Sequence, residues 1–105
     1  MSQDNFKEKI KSQLDFLGSI KSKNMFGTSA FSKEGIFFAS IEKKKLYFKV
    51  DENTVQDFEK YGMPSLNKHR KSLDYYQVPD EIITNQKLFQ DWATKALKSA
   101  INKKK

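Results

Sequence analysis

The spacing of the hydrophobic residues changes twice along the chain, and this limits the fold more than any other feature. Near the N-terminus, apolar residues recur at intervals of four, four and three at Phe6, Ile10, Leu14 and Leu17. This spacing places them on one face of a helix, which we predict over residues 5–16. Gly18 follows where a glycine can end a helix in a left-handed conformation.

The middle of the chain has the spacing of β-strands instead. Residues 20–31 predict two short strands interrupted at Gly27, and residues 36–41 form a compact apolar run. Residues 46–50 then alternate apolar and polar side chains, as half-buried strands do. Residues 42–45 between these last two runs have the length of a hairpin loop, so we predict antiparallel pairing across them.

Helical signals return after residue 50. Asp51 is placed to cap a helix through Tyr61, with Val55 and Phe58 facing inward and Gly62 and Pro64 ending it. Residues 65–70 and 73–78 then predict a second hairpin around Lys71 and Ser72. The last helical region begins at Pro79, Asp80 and Glu81. Acidic side chains are favoured there because the N-terminus is the positive end of the helix dipole. Its apolar stripe comprises Leu88, Phe89, Trp92, Ala96, Leu97, Ala100 and Ile101.

The predicted order of elements is α-β-β-β-β-α-β-β-α within one domain over residues 1–105. Six strands and three helices in so short a chain indicate an α+β fold of two layers, with the helices packed on one antiparallel-rich sheet. We expect the core to contain Phe6, Ile10, Leu14, Phe38, Phe48, Phe58, Leu88, Trp92 and Leu97.

Composition narrows the classes of function. The chain has 105 residues with no cysteine, which excludes a disulfide scaffold, a thiolate metal site and a cysteine nucleophile. No apolar run approaches the roughly 20 residues that cross a bilayer, and we expect no membrane partner. Acidic residues near the N-terminus argue against a secretory or transit peptide, so we expect a cytoplasmic protein.

Side chains suited to catalysis are scarce. His69 is the single histidine and lies between Lys68 and Arg70, so no metal site or acid–base pair can form around it with a second histidine. The acidic pairs at 51–52 and 80–81 each lie where a helix is predicted to begin, and capping explains both. We therefore expect no enzyme, no cofactor and no metal.

Positive charge is the stronger functional signal, because the formal net charge is +7. Two basic clusters lie on the predicted hairpin loops and form a candidate patch: Lys43, Lys44, Lys45, Lys68, Arg70 and Lys71. Such a patch contacts phosphates if the loops meet, whereas lysines at hairpin tips also serve solubility and block edge pairing. The pairs at 37–38 and 75–76 fit alternating burial at least as well as base stacking.

Four segments together resemble one known family. They are residues 23–27 (KNMFG), 46–51 (LYFKVD), 75–80 (YYQVPD) and Trp92-Ala93. In this order and spacing they resemble the N-terminal domain of the TfoX/Sxy proteins, bacterial regulators of DNA-uptake competence. The family commonly has a Gly-Gly-x-Gly turn after Met-Phe, where this chain has residues 27–30 (GTSA). Two-domain members add a helical C-terminal domain, and the resemblance covers their first part.

The resemblance implies a two-layer α/β sandwich similar to type III secretion chaperones, which agrees with the layers predicted from the residues. It also implies a binding module that acts through protein contacts in transcriptional regulation of competence. The partner it implies is a transcription factor of the cyclic-AMP receptor type. The alternative hypothesis is direct binding of nucleic acid through the basic hairpin loops.

Overall fold

The described part of the chain folds into a five-stranded antiparallel sheet with helices packed on one face. The computed structural model describes residues 3–25, 28–63 and 75–104. The helices are α1 (Gln3–Leu14), α2 (Val55–Lys60), α3 (Asp80–Ile83) and α4 (Gln86–Lys104). The strands are β1 (Ile20–Met25), β2 (Thr28–Lys33), β3 (Ile36–Glu42), β4 (Lys45–Lys49) and β5 (Tyr75–Gln77). Neighbours in space follow the order β1-β2-β3-β4-β5, and every neighbouring pair is antiparallel.

The predicted two-layer α+β fold is confirmed, with small differences in the number of elements. The described residues contain five strands, and the predicted strand at 65–70 and the turn at Lys71 and Ser72 lie outside them. The described part of the predicted strand at 73–78 contains β5, and residues 73–74 lie outside the described ranges. The strands predicted on both sides of Gly27 are present as β1 and β2, although Gly27 itself also lies outside the described residues.

The prediction of one C-terminal helical region was wrong, because this region divides into α3 and α4. Asn85 lies between them, and its Oδ1 accepts a hydrogen bond from the Leu88 N–H at 3.2 Å. The Asn85 carbonyl also accepts the Phe89 N–H at 2.8 Å. Asn85 is therefore the N-cap of α4, and a new helix starts at the side chain best suited to start one.

Glycines end two elements as the sequence predicts. After α1, a 3₁₀ turn over Asp15–Leu17 leads to Gly18, whose φ of 104° and ψ of −145° only glycine adopts readily. This conformation differs from the predicted left-handed one. After α2, the N–H of Gly62 (φ 67°) bonds the Glu59 carbonyl and that of Met63 bonds the Phe58 carbonyl. This is a Schellman motif, which satisfies the last free carbonyls of the helix.

The core lies between α4 and the central strands. Phe48 of β4 is fully buried and meets Phe89 of α4 edge to face, with ring centroids 5.8 Å apart. Phe58 of α2 meets Trp92 of α4 in the same way at 4.7 Å. Small residues continue the buried stripe of α4 at Ala93, Ala96 and Ala100. Short side chains at these positions let the helix approach the sheet closely.

Most of the predicted core is confirmed. Six of the nine residues are buried: Ile10, Leu14, Phe38, Phe48, Phe58 and Trp92. Phe6 and Leu97 are partly buried against the core. Leu88 is 40% exposed, so its assignment was wrong. At 3.6 residues per turn it lies about 90° from the centre of the buried stripe of α4, and Phe89 fills the inward position instead.

Truncation of Phe48 tests the central role of its contact with Phe89. We expect Phe48→Ala to lower the free energy of unfolding by about 3–5 kcal/mol, because it removes buried apolar area and leaves a cavity. Phe37→Ala is the matched control on the neighbouring strand, since Phe37 is 41% exposed, and it should change stability by less than about 1 kcal/mol. Urea denaturation followed by tryptophan fluorescence measures both, and equal destabilisation by the two variants would contradict this description of the core.

Candidate functional site

The first basic cluster of the sequence forms a tight turn between β3 and β4. Glu42 and Lys45 are paired across the strands, so Lys43 and Lys44 alone make the turn. The turn is thus shorter than the predicted loop over 42–45. The φ angles of Lys43 and Lys44 are 52° and 62°, as a type I′ turn requires at both central positions. All three lysines, 43–45, are exposed.

The backbone conformation of this turn is unfavourable for lysine. Positive φ brings Cβ close to the backbone, and each non-glycine residue there costs roughly 1–2 kcal/mol. The turn between β2 and β3 has φ angles of 52° and 81° at Glu34 and Gly35, and so has glycine at its second position. The turn at Lys43 and Lys44, which we call the lysine turn, has no glycine to lower this cost. A strained turn made of two charged residues is therefore a candidate functional feature.

The second basic cluster lies in the sequence between α2 and β5. Lys68, Arg70 and Lys71 lie outside the described residues, and so does His69. The convergence of the two clusters into one patch stays a prediction.

Asp51, the first residue of the acidic pair at 51–52, caps the turn that precedes α2 and not the helix itself as predicted, because α2 begins at Val55 with Thr54 at its N-cap. Asp51 Oδ1 accepts the N–H groups of Asn53 at 2.8 Å and Thr54 at 3.0 Å, and Thr54 Oγ1 accepts the Asp51 N–H at 3.0 Å. Burial alone would raise the pKa of the Asp51 carboxyl. Hydrogen bonds from the Thr54 and Asn53 N–H groups and the Ser99 and Thr54 hydroxyls outweigh burial and lower that pKa. The carboxylate is therefore held ionised as a structural cap.

The other acidic pair also lies at the start of a helix. Asp80 and Glu81 occupy the first turn of α3, behind Pro79 at the N-cap position, and both are exposed. No side-chain capping hydrogen bond forms there. The geometry therefore supports the predicted compensation of the helix dipole and does not show the predicted capping.

A small polar cleft of about 280 Å³ lies between the Asp51 turn and α4. Ser99 is completely buried, and its Oγ lies 3.3 Å from Thr54 Oγ1. Lys95 Nζ lies 3.8 Å from Asp57 Oδ2 and 3.4 Å from Asp91 Oδ2. These groups satisfy one another, so we interpret the cleft as a hydrogen-bonded joint between α2 and α4.

A larger cavity of about 590 Å³ lies between α1 and the α3–α4 region; we call it the helix cavity. Gln13 Nε2 donates to the Ile83 carbonyl at 2.9 Å, while Gln13 Oε1 is buried without a hydrogen-bond partner among the described residues. Phe16 lies on the rim and is 41% exposed. Sequence reasoning missed this cavity, because it depends on where α1 meets the helices that follow β5.

The sheet face opposite the helices carries aromatic and basic side chains; we call it the open sheet face. One row of paired residues crosses all five strands there: Lys23, Ala30, Ser40, Tyr47 and Gln77. A parallel row joins Lys21, Ser32 and Phe37. Lys49 and Tyr75 are paired on the same face, with Lys49 Nζ 5.0 Å from the centre of the Tyr75 ring.

A β-bulge places Phe37 on this face. Phe38 is the extra residue of β3, where the register with β2 shifts between Phe31 and Ser32. Phe38 is fully buried while Phe37 is 41% exposed. Tyr76 likewise packs against Phe58 at 6.0 Å. The predicted alternating burial is thus present at residues 37–38, whereas Tyr75 and Tyr76 are both partly buried. The sequence signal that would have found the open sheet face is the outward member of each aromatic pair.

Metal-binding and membrane-spanning features are both absent from the described ranges. Within residues 3–25, 28–63 and 75–104, no three histidine, cysteine or acidic side chains are grouped to hold a metal ion. No helix in those ranges is long and apolar enough to cross a membrane.

Comparison with known families identifies the module. The family model of the TfoX N-terminal domain matches residues 12–100. The chain belongs to the TfoX N-terminal domain family. A search of curated proteins found no match. The family supports a competence-related regulatory module for this TfoX domain, and the matched range includes all four of the resembling segments.

The pKa of Asp51 gives a pH-dependent prediction. Because folding lowers this pKa, the carboxylate stabilises the fold above the unfolded pKa of about 3.9, and the contribution is lost as the pH falls through the folded value. We expect Asp51→Ala to cost about 1 kcal/mol at pH 6. The gap to wild type should shrink at pH 3. Urea denaturation at both pH values measures it, and Asp80→Ala, without a capping hydrogen bond, is the control. A gap that widens at pH 3 would contradict the assignment.

Substitutions in the lysine turn should raise the stability of the domain, whereas Asp51→Ala should lower it. Replacing it with the sequence that type I′ turns prefer, Lys43→Asn with Lys44→Gly, should stabilise the domain by about 1–2 kcal/mol, because the strain is relieved. Lys43→Gln with Lys44→Gln removes the same charges but keeps the strain, and should leave stability unchanged. Thermal denaturation compares the two pairs. Equal stabilisation by both would show that charge repulsion, and not backbone strain, is relieved.

Proposed function

We propose that this TfoX domain is a non-enzymatic binding module that acts through protein–protein contacts in the transcriptional control of DNA uptake, in the bacterial cytoplasm. The observation that carries the proposal is the family match over residues 12–100. The partner that we propose is a transcription factor of the cyclic-AMP receptor type.

The chemistry of the helix cavity supports a binding role. Its lining residues are Lys9, Ser12, Gln13, Phe16, Ile83, Thr84, Gln86, Phe89 and Gln90. This set contains no carboxylate side chain and no histidine, so these described residues provide no acid–base pair for catalysis. The set combines an apolar rim with amide and hydroxyl groups, as sites that recognise other molecules do.

We assign the protein contact to this cavity. The buried Gln13 Oε1 lacks a donor among the described residues, and such a group carries a free-energy penalty that a partner's N–H group removes. The exposed Phe16 ring supplies apolar area beside it. The fitting contact is a peptide segment that inserts an apolar side chain and donates a backbone or side-chain N–H to Gln13.

Titration calorimetry of the purified domain with the cyclic-AMP receptor type protein of the same bacterium tests the proposal, with and without cyclic AMP. We expect a complex with the wild-type domain, and Phe16→Ser should weaken it at least about fivefold, because the complex then buries less apolar area. Leu88→Ser is the matched control, because Leu88 is equally exposed at 40% but does not line the cavity. It should bind as the wild type does.

Two results would count against this proposal. If the receptor-type protein does not bind under either condition, the proposed partner is wrong. If the Phe16 and Leu88 variants weaken the complex equally, the helix cavity is not the contact.

The strained lysine turn favours direct nucleic-acid binding as a second candidate function. Lys43 and Lys44 keep positive φ where asparagine and glycine cost less, and lysines at that point contact phosphates. The proposed site comprises the two basic clusters, Lys43, Lys44, Lys45, Lys68, Arg70 and Lys71.

The turn variants test this second function directly. Lys43→Asn with Lys44→Gly should bind DNA or RNA more weakly while melting at a higher temperature, because the same two lysines carry the charges that contact phosphates and the Cβ atoms that strain the turn. Lys43→Arg with Lys44→Arg keeps the charges and should keep the affinity. Fluorescence titrations at two salt concentrations measure binding, and unchanged affinity of the asparagine–glycine pair would remove the turn from the site.

A further inference from the structure

The open sheet face has the composition of a surface that binds a polyanion with flat, apolar groups. Four lysines lie on this face at positions 21, 23, 45 and 49, against one glutamate, Glu42, among the described residues. Phe37 and Tyr47 project from neighbouring strands on the same side. Phe37 is 41% exposed, Tyr47 is partly exposed, and Lys21 and Lys23 are exposed. Positive charge beside accessible rings fits a nucleic acid better than it fits an apolar peptide.

The small residues between the two sides of this face form a shallow trough. Ala30, Ser32 and Ser40 lie between the lysines of β1 and the rings of β3 and β4. Ser32 and Ser40 are 7% and 5% exposed, so they form the floor. Lys21 and Phe37 are separated by two strand spacings, about 9.5 Å. That span is of the order of the reach from a phosphate to the base of the same nucleotide.

Two rows of this face each place a lysine of β1 and an aromatic ring on opposite sides of the small residues, two strand spacings apart in the first row and three, about 14 Å, in the second. One row pairs Lys21 through Ser32 with Phe37, and the next pairs Lys23 through Ala30 and Ser40 with Tyr47. The rows lie two residues apart, roughly 6.6 Å, which is close to the repeat of an extended single strand. Each row thus offers one cation and one ring, and the two lysines lie at the spacing of successive phosphates along an extended strand.

We propose that the open sheet face binds single-stranded nucleic acid, with bases stacked on Phe37 and Tyr47 and phosphates at Lys21 and Lys23. This inference rests on the second candidate function and gives it a different site and a substrate class. Stacking requires unpaired bases, because rings on the surface of a sheet cannot reach base faces inside a duplex. Lys49, beside the Tyr75 ring, adds positive charge next to Tyr47 on the same strand.

Fluorescence anisotropy with labelled oligothymidine, oligouridine and a DNA duplex of equal length tests the inference on the whole chain. The wild type should bind the single strands more tightly than the duplex. Phe37→Leu with Tyr47→Leu keeps apolar side chains but removes the rings, and should weaken single-strand binding about tenfold or more while duplex binding is unchanged. Thermal melts of each variant show that it is folded.

Two double lysine variants, one on the open sheet face and a matched control on α4, complete the experiment. Lys21→Gln with Lys23→Gln should lower the slope of log affinity against log salt by about 0.7 for each phosphate that the protein no longer neutralises. Lys87→Gln with Lys98→Gln removes two exposed lysines of α4, on the helix layer, and should change neither slope nor affinity. Equal effects of the two pairs would overturn the assignment to this face.

The remaining outcomes separate this inference from the functions proposed above. If the wild type binds no oligonucleotide, both the inference and the second candidate are wrong, and the protein-contact proposal is unaffected. If single strand and duplex bind equally and the ring variants bind as the wild type does, the inference is wrong and the lysine turn remains the nucleic-acid site. If polyglutamate displaces the oligonucleotide at equal charge concentration, the face recognises acidic partners without using bases, and the inference is also wrong.

Discussion

The packing of α4 against β3 and β4 determines which side of the sheet is buried, and the rest of the surface depends on that choice. Phe48 and Phe89 meet at the centre of this contact, where both rings are removed from water. Because successive side chains of a strand point to opposite faces, the neighbours of each inward residue lie on the other face. Tyr47 and Lys49 are outward because Phe48 is inward. The helix cavity lies on the helix side of the sheet and the open sheet face lies on the other side, so both follow from the same packing contact.

The β-bulge modifies this rule at one place. In regular alternation from Ile41, Phe38 would point outward and Phe37 inward. The extra residue keeps Phe38 in the core and turns Phe37 to the open sheet face. Bulges commonly re-aim a side chain in this way. The bulge therefore adds an exposed aromatic ring beside Ser32 without removing one from the core.

Much of the fold could be predicted from local signals in the sequence. Gly62 ends α2 as predicted, and Asp51 caps the turn just before that helix, each through hydrogen bonds that span two to five positions. The sequence-based prediction of the C-terminal helices failed where two local signals disagreed. The apolar run through Leu88 favoured one long helix, whereas the capping side chain of Asn85 starts a new one. Leu88 was then assigned to the core because it is apolar, although it lies at the edge of the buried stripe of α4.

The candidate sites were less predictable because they depend on contacts between distant segments. The sequence shows Lys43 to Lys45 as a charge cluster, but it does not show that two of them have positive φ. Lys21 and Lys23 are unremarkable in sequence, and they become a basic border only when β1 pairs with β2. The Gln13 side chain likewise gains its unpaired oxygen only where its amide bonds the Ile83 carbonyl, seventy residues later.

The placement of these sites on opposite layers has a consequence for how the domain works. Phe16 and Gln13 lie on the helix layer, whereas Phe37 and Tyr47 lie on the far side of the sheet. Substitutions that share no contacts and are well separated usually add in free energy. A partner in the helix cavity and a strand on the open sheet face therefore need not compete. Coupling between them would require the sheet itself to change, and the packed contact between Phe48 and Phe89 opposes such a change.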